Sequence, residues 1–236
     1  MSGQDNPLLA AGPIPDFAAI TAAHVEPAMR QVLDDVRSGL ATLETTAEPT
    51  WQGLMEPLER LTEPLSFAWG AVNHLLSVRN SPPLREAHAA CQADVVAISM
   101  AIAQSKALYE TLVAMRNGPN WEQLNTTQQR IVQCSLRDAE LSGVALSEQD
   151  KPRFNANQQR LAELSTGFSN NVLDATKAFA MTLTDKDEVE GLPDSLLERT
   201  AASAKAAGES DASAEDGPWR ITLDFPCFGP FLKYSA

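Results

Sequence analysis

The sequence predicts a mainly α-helical fold: a multi-helix bundle of about five long helices, with a small incomplete β element near the C-terminus. Three observations carry that reading. Apolar residues recur at steps of three and four through most of residues 21–180. Capping and stop residues stand at the ends of those periodic stretches. Beyond residue 180 the period shortens to two in only two places, Met181–Thr184 and Trp219–Phe225. With 236 residues, 44% of them apolar, the chain can bury a core and offset the entropy of ordering itself.

Residues 1–20 are punctuated by Pro7, Pro13 and Pro15 and read as an extended lead-in. A helical domain over 21–180 follows. Thr21 caps its first helix, whose stripe is Val25, Met29, Val32, Val36, Leu40 and Leu43. Pro27 moves the expected start of the regular part toward Glu26. Thr50 caps a second helix with Trp51, Leu54, Leu58, Leu61, Leu65, Trp69, Val72 and Leu76 on one side. Pro57 and Pro64 interrupt it and predict a kink or a break. Ser81, followed by Pro82 and Pro83, starts a third helix, because proline is tolerated where the first-turn N–H has no partner. The spacing carries that helix through Leu84, Cys91, Val95, Ile98, Ile102, Leu108 and Leu112, to a stop at Asn117-Gly118-Pro119. A fourth spans Thr126–Leu141, with Gly143 as its C-terminal glycine. Ser147 and Asp150, a variant capping box, open a fifth through Phe154, Leu161, Leu164, Phe168, Val172 and Phe179.

The segment 181–236 reads as the start of a second, truncated α/β segment. Met181–Thr184 and Trp219–Phe225 are its strands, and Pro193–Ala207 a short helix. Between Asp185 and Asp216 stand ten acidic residues against Lys186, Arg199 and Lys205. The last apolar residues, Phe228, Phe231, Leu232 and Tyr234, begin a helical pattern that stops at Ala236. A strand with one candidate partner and an apolar stub imply a piece of something longer. On that expectation Phe228, Phe231 and Tyr234 lie at the surface or pack loosely, and the second strand keeps an unpaired edge. Full burial of those residues would favour a self-sufficient module.

Eighteen basic residues against 31 acidic ones give a net charge of -13 and a pI of about 4.6. Such a surface repels phosphates and argues against nucleic acid and anionic membrane as partners. Cys91, Cys134 and Cys227 are sparse and odd in number, which points to a reducing compartment. No apolar run approaches the roughly 20 residues of a membrane span, and no leader pattern opens the chain. The expected location is the cytoplasm.

The chemistry-bearing residues are few. His24, His74 and His88 form neither a H-E-x-x-H pair nor a Glu-x-x-His pair. His74 and His88 would align on one straight helix, but Ser81-Pro82-Pro83 breaks it. His88 and Cys91 lie three apart on one face, where a Cys–His nucleophile or half a metal site is weighed against a buried structural thiol, which is favoured. Gly167-Phe168-Ser169-Asn170-Asn171 lacks the last glycine of a nucleophile elbow and sits in a helix. Asp185–Glu190 lacks the glycine and terminal glutamate of a calcium loop in register, so a solvated loop is favoured. Trp51 and Trp69 fall on the apolar stripe and read as core or groove residues. The residues supply no catalytic machinery.

Five ordered blocks carry a resemblance: NPLL (Asn6–Leu9), HLLSVRNSPPLREA (His74–Ala87), LRDAELSG (Leu136–Gly143), FSNNVLDATKAF (Phe168–Phe179) and TLDFPCFGPFLKY (Thr222–Tyr234). Together they resemble the N-terminal half of the thimet-oligopeptidase-like zinc metallopeptidases. The resemblance implies a helical clam with a deep narrow channel that admits short peptides. Residues 21–180 would be its helical N-terminal domain, opposite a zinc held on a H-E-x-x-H helix in the later half. That helix, its glutamate base and the third ligand are absent from this sequence. No catalytic or metal residue is therefore assigned, substrate-binding residues stay unassigned, and no cofactor is expected in this chain. Zinc belongs to the complete enzyme. The implied partners are the missing C-terminal catalytic half and, for the whole enzyme, short peptide substrates. The alternative is a stand-alone helical module that binds peptides or another protein without catalysis.

Overall fold

The structure is a computed structural model that describes residues 6–10, 12 and 14–235. Pro13 of the lead-in and the terminal Ala236 lie outside them. The chain is mainly helical, with one small sheet. Its elements in order are α1 (Ala22–Thr46), α2 (Glu56–Val78), α3 (Pro82–Ala103), α4 (Lys106–Asn117), α5 (Thr126–Leu141), α6 (Lys151–Ala178), β1 (Ala180–Leu183), α7 (Asp194–Ala206), β2 (Trp219–Thr222) and α8 (Phe225–Tyr234). Two compact units, Met1–Ala162 and Glu163–Ala236, divide within α6. Among the described residues no helix is long and apolar enough to cross a membrane.

The first unit is built on α1. Its residues Val25, Met29, Val32, Val36, Leu40 and Leu43 are all buried, as the spacing requires. They face Ala68, Val72 and Leu75 of α2 and Leu84, Cys91, Val95 and Ile98 of α3, in one core with Leu108 and Leu112 of α4 and Val132 and Leu136 of α5. The lead-in contributes as well. Pro7–Leu9 form a 3-10 turn rather than extended chain, capped by Asn6 Oδ1, which accepts from Leu8 N–H at 3.0 Å, and Leu8 is buried in the core. At Gly39 the α1 backbone comes so close to α2 that a Cβ would collide with Leu61 Cδ1.

Three helix limits differ from the sequence expectation. α1 is regular from Ala22 and passes through Pro27 instead of starting near Glu26. Its first turn is held from behind: the Thr21 N–H donates to His24 Nδ1 at 3.1 Å, closing one half of a capping box. α2 likewise runs unbroken through Pro64, which is exposed, so water can solvate the carbonyl left without a donor. Ahead of it, Trp51–Met55 form a single π turn in which the Glu56 N–H donates to the Trp51 carbonyl. The wider turn relieves the clash Pro57 would otherwise make one turn back. Thr50 caps it as expected, accepting from the Gly53 N–H at 2.9 Å.

The third correction is larger. The helix expected to run from Ser81 through Leu112 ends at Ala103, and α4 starts anew at Lys106. Ser105 causes the restart. Its buried hydroxyl accepts from the Leu108 N–H at 3.3 Å and donates to Glu44 Oε1 of α1 at 2.7 Å. Beside it, Gln104 Nε2 donates to the Ser142 carbonyl at 2.9 Å and to Asn155 Oδ1 at 2.8 Å. Apolar spacing continues across this break, so periodicity alone could not reveal it.

In the second unit β1 and β2 pair antiparallel, with Ala180 opposite Thr222 and Leu183 opposite Trp219. β2 is shorter than the expected Trp219–Phe225 stretch. Pro226 stands in the first turn of α8, a position proline favours, and the strand gives way at Thr222. Trp219 is 1% exposed and anchors a small core of Leu183, Val189, Leu196, Ile221 and Cys227. Its Nε1–H donates to the Ala214 carbonyl at 3.1 Å. Gly217 makes that burial possible: its φ is +69°, and a Cβ would stand 2.7 Å from the Trp219 ring.

Two substitutions test these packing claims. Ser105→Ala removes a cap and an interhelix bond, with an expected loss of about 1–2 kcal/mol in urea unfolding. Gly217→Ala meets both the backbone and the indole, and an expected loss of ~1–3 kcal/mol is to be read as faster amide exchange in β1 and β2.

Candidate functional site

The polar groups most able to do chemistry in the first unit lie between α2 and α3. His88 of α3 is buried, and its ring stacks on Trp69 of α2 with centroids 4.4 Å apart and planes 16° from parallel. Its Nε2–H donates to Asn73 Oδ1 at 3.0 Å, while Nδ1 is buried with no hydrogen-bond partner. Protonation would bury an unpaired N–H on Nδ1. Burial accordingly lowers the His88 pKa below its ordinary 6.5. The imidazole is a neutral packing element at physiological pH.

Cys91, one turn on, is buried as a thiol. Burial first, then the carboxylates of Glu26 and Asp94, push its pKa up to about 11, against the opposing pull of Arg30. A nucleophilic cysteine needs the reverse shift. His88 and Cys91 thus share a helix face, but the polar partner of His88 is Asn73, fifteen residues back on another helix. No sequence signal marks Asn73.

The other two histidines are also occupied. His24 completes the cap of α1, and the His74 ring lies 5.0 Å from that of Phe17. α2 ends at Val78, so His74 and His88 are on separate helices. In Asp185–Glu190 two carboxylates serve the backbone. Asp185 Oδ1 accepts from the Asp187 N–H at 3.1 Å, and Glu188 Oε2 accepts from the N–H groups of Thr184 and Asp185 at 3.3 Å. Lys186 pairs with Asp216 at 2.8 Å across the acidic segment. Zinc requires three or four converging donors, and among the described residues no three His, Cys, Asp or Glu side chains converge. The residues present do not fit that metal.

Clefts remain in both units. One of about 170 Å³ in the first unit is lined by Leu58, Ile102, Leu108, Tyr109, Leu112 and Ala139, and has room for one apolar side chain. Another, of about 450 Å³ in the second unit, is lined by Lys186, Asp194, Glu198 and Glu215 around Leu197 and Trp219. The C-terminal aromatics are at the surface: Phe228 is 38% and Tyr234 43% exposed, and Phe231 is half-buried against the small core. Among the described residues, β2 pairs with β1 alone.

The sign of the His88 effect is open to measurement. The unfolded chain takes up a proton as pH falls through 6.5, and the fold resists it. Stability is therefore expected to be full above pH 6.5 and to decline below it, until the lower folded-state pKa is passed. Urea midpoints measured against pH are expected to fall less steeply for His88→Gln than for the parent. Identical slopes contradict the assignment.

Comparison with known proteins bears on all of these residues at once. The family described as neurolysin/thimet oligopeptidase, N-terminal domain, matches residues 29–151. The organellar oligopeptidase A (chloroplastic/mitochondrial) of Arabidopsis thaliana is 41% identical over 230 residues, which are 98% of this chain and 29% of that protein. A probable cytosolic oligopeptidase A of the same plant is also 41% identical, over 98% of this chain and 33% of its own length. Oligopeptidase A of Escherichia coli (strain K12) is 36% identical, over 97% and 33%. The chain thus spans about a third of the length of the curated relatives it matches. With its N-terminal-domain match running from the first turns of α1 to the start of α6, this chain belongs to the neurolysin/thimet oligopeptidase family.

Proposed function

We propose that this chain forms one wall of the substrate channel in a cytoplasmic, zinc-dependent oligopeptidase that hydrolyses short peptides, and that the reacting groups come from its C-terminal catalytic part. One observation supports this most strongly: similarity over 97–98% of the chain to oligopeptidases A of which it spans 29–33%. The chemistry of the residues agrees. Each histidine is committed to a cap or to ring packing, and the buried Cys91 thiol is held protonated. No step of bond cleavage is assigned to these residues. What a helical wall can contribute is orientation of the peptide and exclusion of water from the channel. An acidic surface fits a role without nucleic acid or anionic membrane.

The purified chain is expected to leave a fluorogenic short peptide uncut. The same chain joined to the C-terminal two thirds of the cytosolic Arabidopsis relative is expected to cleave it when zinc is supplied. Chelator-sensitive cleavage by the 236-residue chain alone overturns the reading, as does a joined protein that folds and remains inert.

A further inference from the structure

α6 has its polar side turned inward. On the face it sets against α3, contact is made by amides: Gln104 with Asn155, Gln159 Nε2 to the Ala93 carbonyl at 2.8 Å, and Gln92 Nε2 to the Ala162 carbonyl at 3.0 Å. None of its residues is buried. Its apolar residues point the other way. Leu161, Leu164, Phe168 and Val172 follow each other at steps of three and four, and all are exposed, Phe168 by 71%. A helix held along one side through amide hydrogen bonds gains nothing in water from an apolar stripe along the other. Such a stripe, on a helix of 28 residues, marks a face that another surface covers.

α8, in the same unit as Leu164, Phe168 and Val172, has the same property in a shorter form. Cys227 and Phe231 face the small core, while Phe225, 79% exposed, and Phe228 and Leu232 face outward at steps of three and four. A helix apolar on both sides belongs inside a protein.

The covering surface follows from length. The relatives are about three times as long as their match to this chain, so two thirds of their polypeptide is available to lie against it. We infer that Leu164, Phe168 and Val172 of α6, with Phe225, Phe228 and Leu232 of α8, are the face on which the catalytic part of the oligopeptidase packs. This rests on the function proposed above and adds the residues that join the two parts. A second copy of the chain is the competing occupant, and the test separates the two.

Thiols introduced by Phe168→Cys and Val172→Cys, in a Cys134→Ser background that keeps only the buried Cys91 and Cys227, report the face directly. In the isolated chain both are expected to react with a maleimide at the rate of an exposed thiol. In the chain joined to the relative's C-terminal two thirds, labelling is expected to slow by at least about tenfold, because it then waits on local opening. Phe168→Asp is expected to leave the unfolding of the isolated chain unchanged and to lower the melting temperature of the joined protein. A joined protein that cleaves peptide but labels as fast as the isolated chain overturns this inference and leaves the proposed function standing. A joined protein that labels slowly but never cleaves does the opposite. Slow labelling in the isolated chain, with a dimer in sedimentation, assigns the face to a second copy and also overturns it.

Discussion

Burial of one side of α1 is the interaction on which the first unit depends. Val25, Ala28, Met29, Val32, Leu33, Val36, Leu40 and Leu43 are removed from water by α2 and α3. Each of these valine, leucine and methionine side chains is worth about 1.5–3 kcal/mol when fully buried, so no hydrogen bond or ion pair in the unit rivals the set. The ion pairs recorded in it, such as Arg37 with Asp34, lie largely in solvent and contribute little. Polar detail is arranged around that core. Ser105 ends one helix and begins the next, and Gly39 lets α1 approach α2.

The same economy explains why chemistry is so sparse. A histidine stacked on Trp69 and a thiol held protonated by burial both serve packing, and a catalytic base or nucleophile needs the opposite environment. Under the function proposed above, that division is physically sensible. A wall must be rigid and shaped, and the strained or highly charged groups of the reaction can sit on the facing part.

Where the molecule departs from a closed fold, it does so on one helix and one short tail. α6 uses amides to hold its inner side and keeps Leu164, Phe168 and Val172 outward. Read from spacing alone, Leu161, Leu164 and Phe168 belong to a bundle core. An apolar stripe is visible in sequence, but which surface it meets is not, because two helix faces of similar polarity are distinguished only by their neighbours.

Spacing, caps and glycines determined most of the helices by themselves. Thr21, Thr50 and Ser81 stand where α1, the π turn before α2, and α3 begin, and Gly143, at a φ of +87°, closes α5. These signals are local: the Thr50 hydroxyl accepts from an N–H three residues away, and the left-handed backbone angle at Gly143 favours glycine. The family was legible too, since five ordered blocks survive in sequence. Only the tertiary structure decided that α3 stops at Ala103, that α2 passes Pro64, that His88 belongs to Asn73 and Trp69, and that α6 faces outward. All but the passage through Pro64 depend on groups far apart in the chain. Glu44 lies 61 residues from Ser105, and Gln104 lies 51 from Asn155. A periodic pattern carries no record of such pairs, because it repeats identically whether or not a distant partner is there.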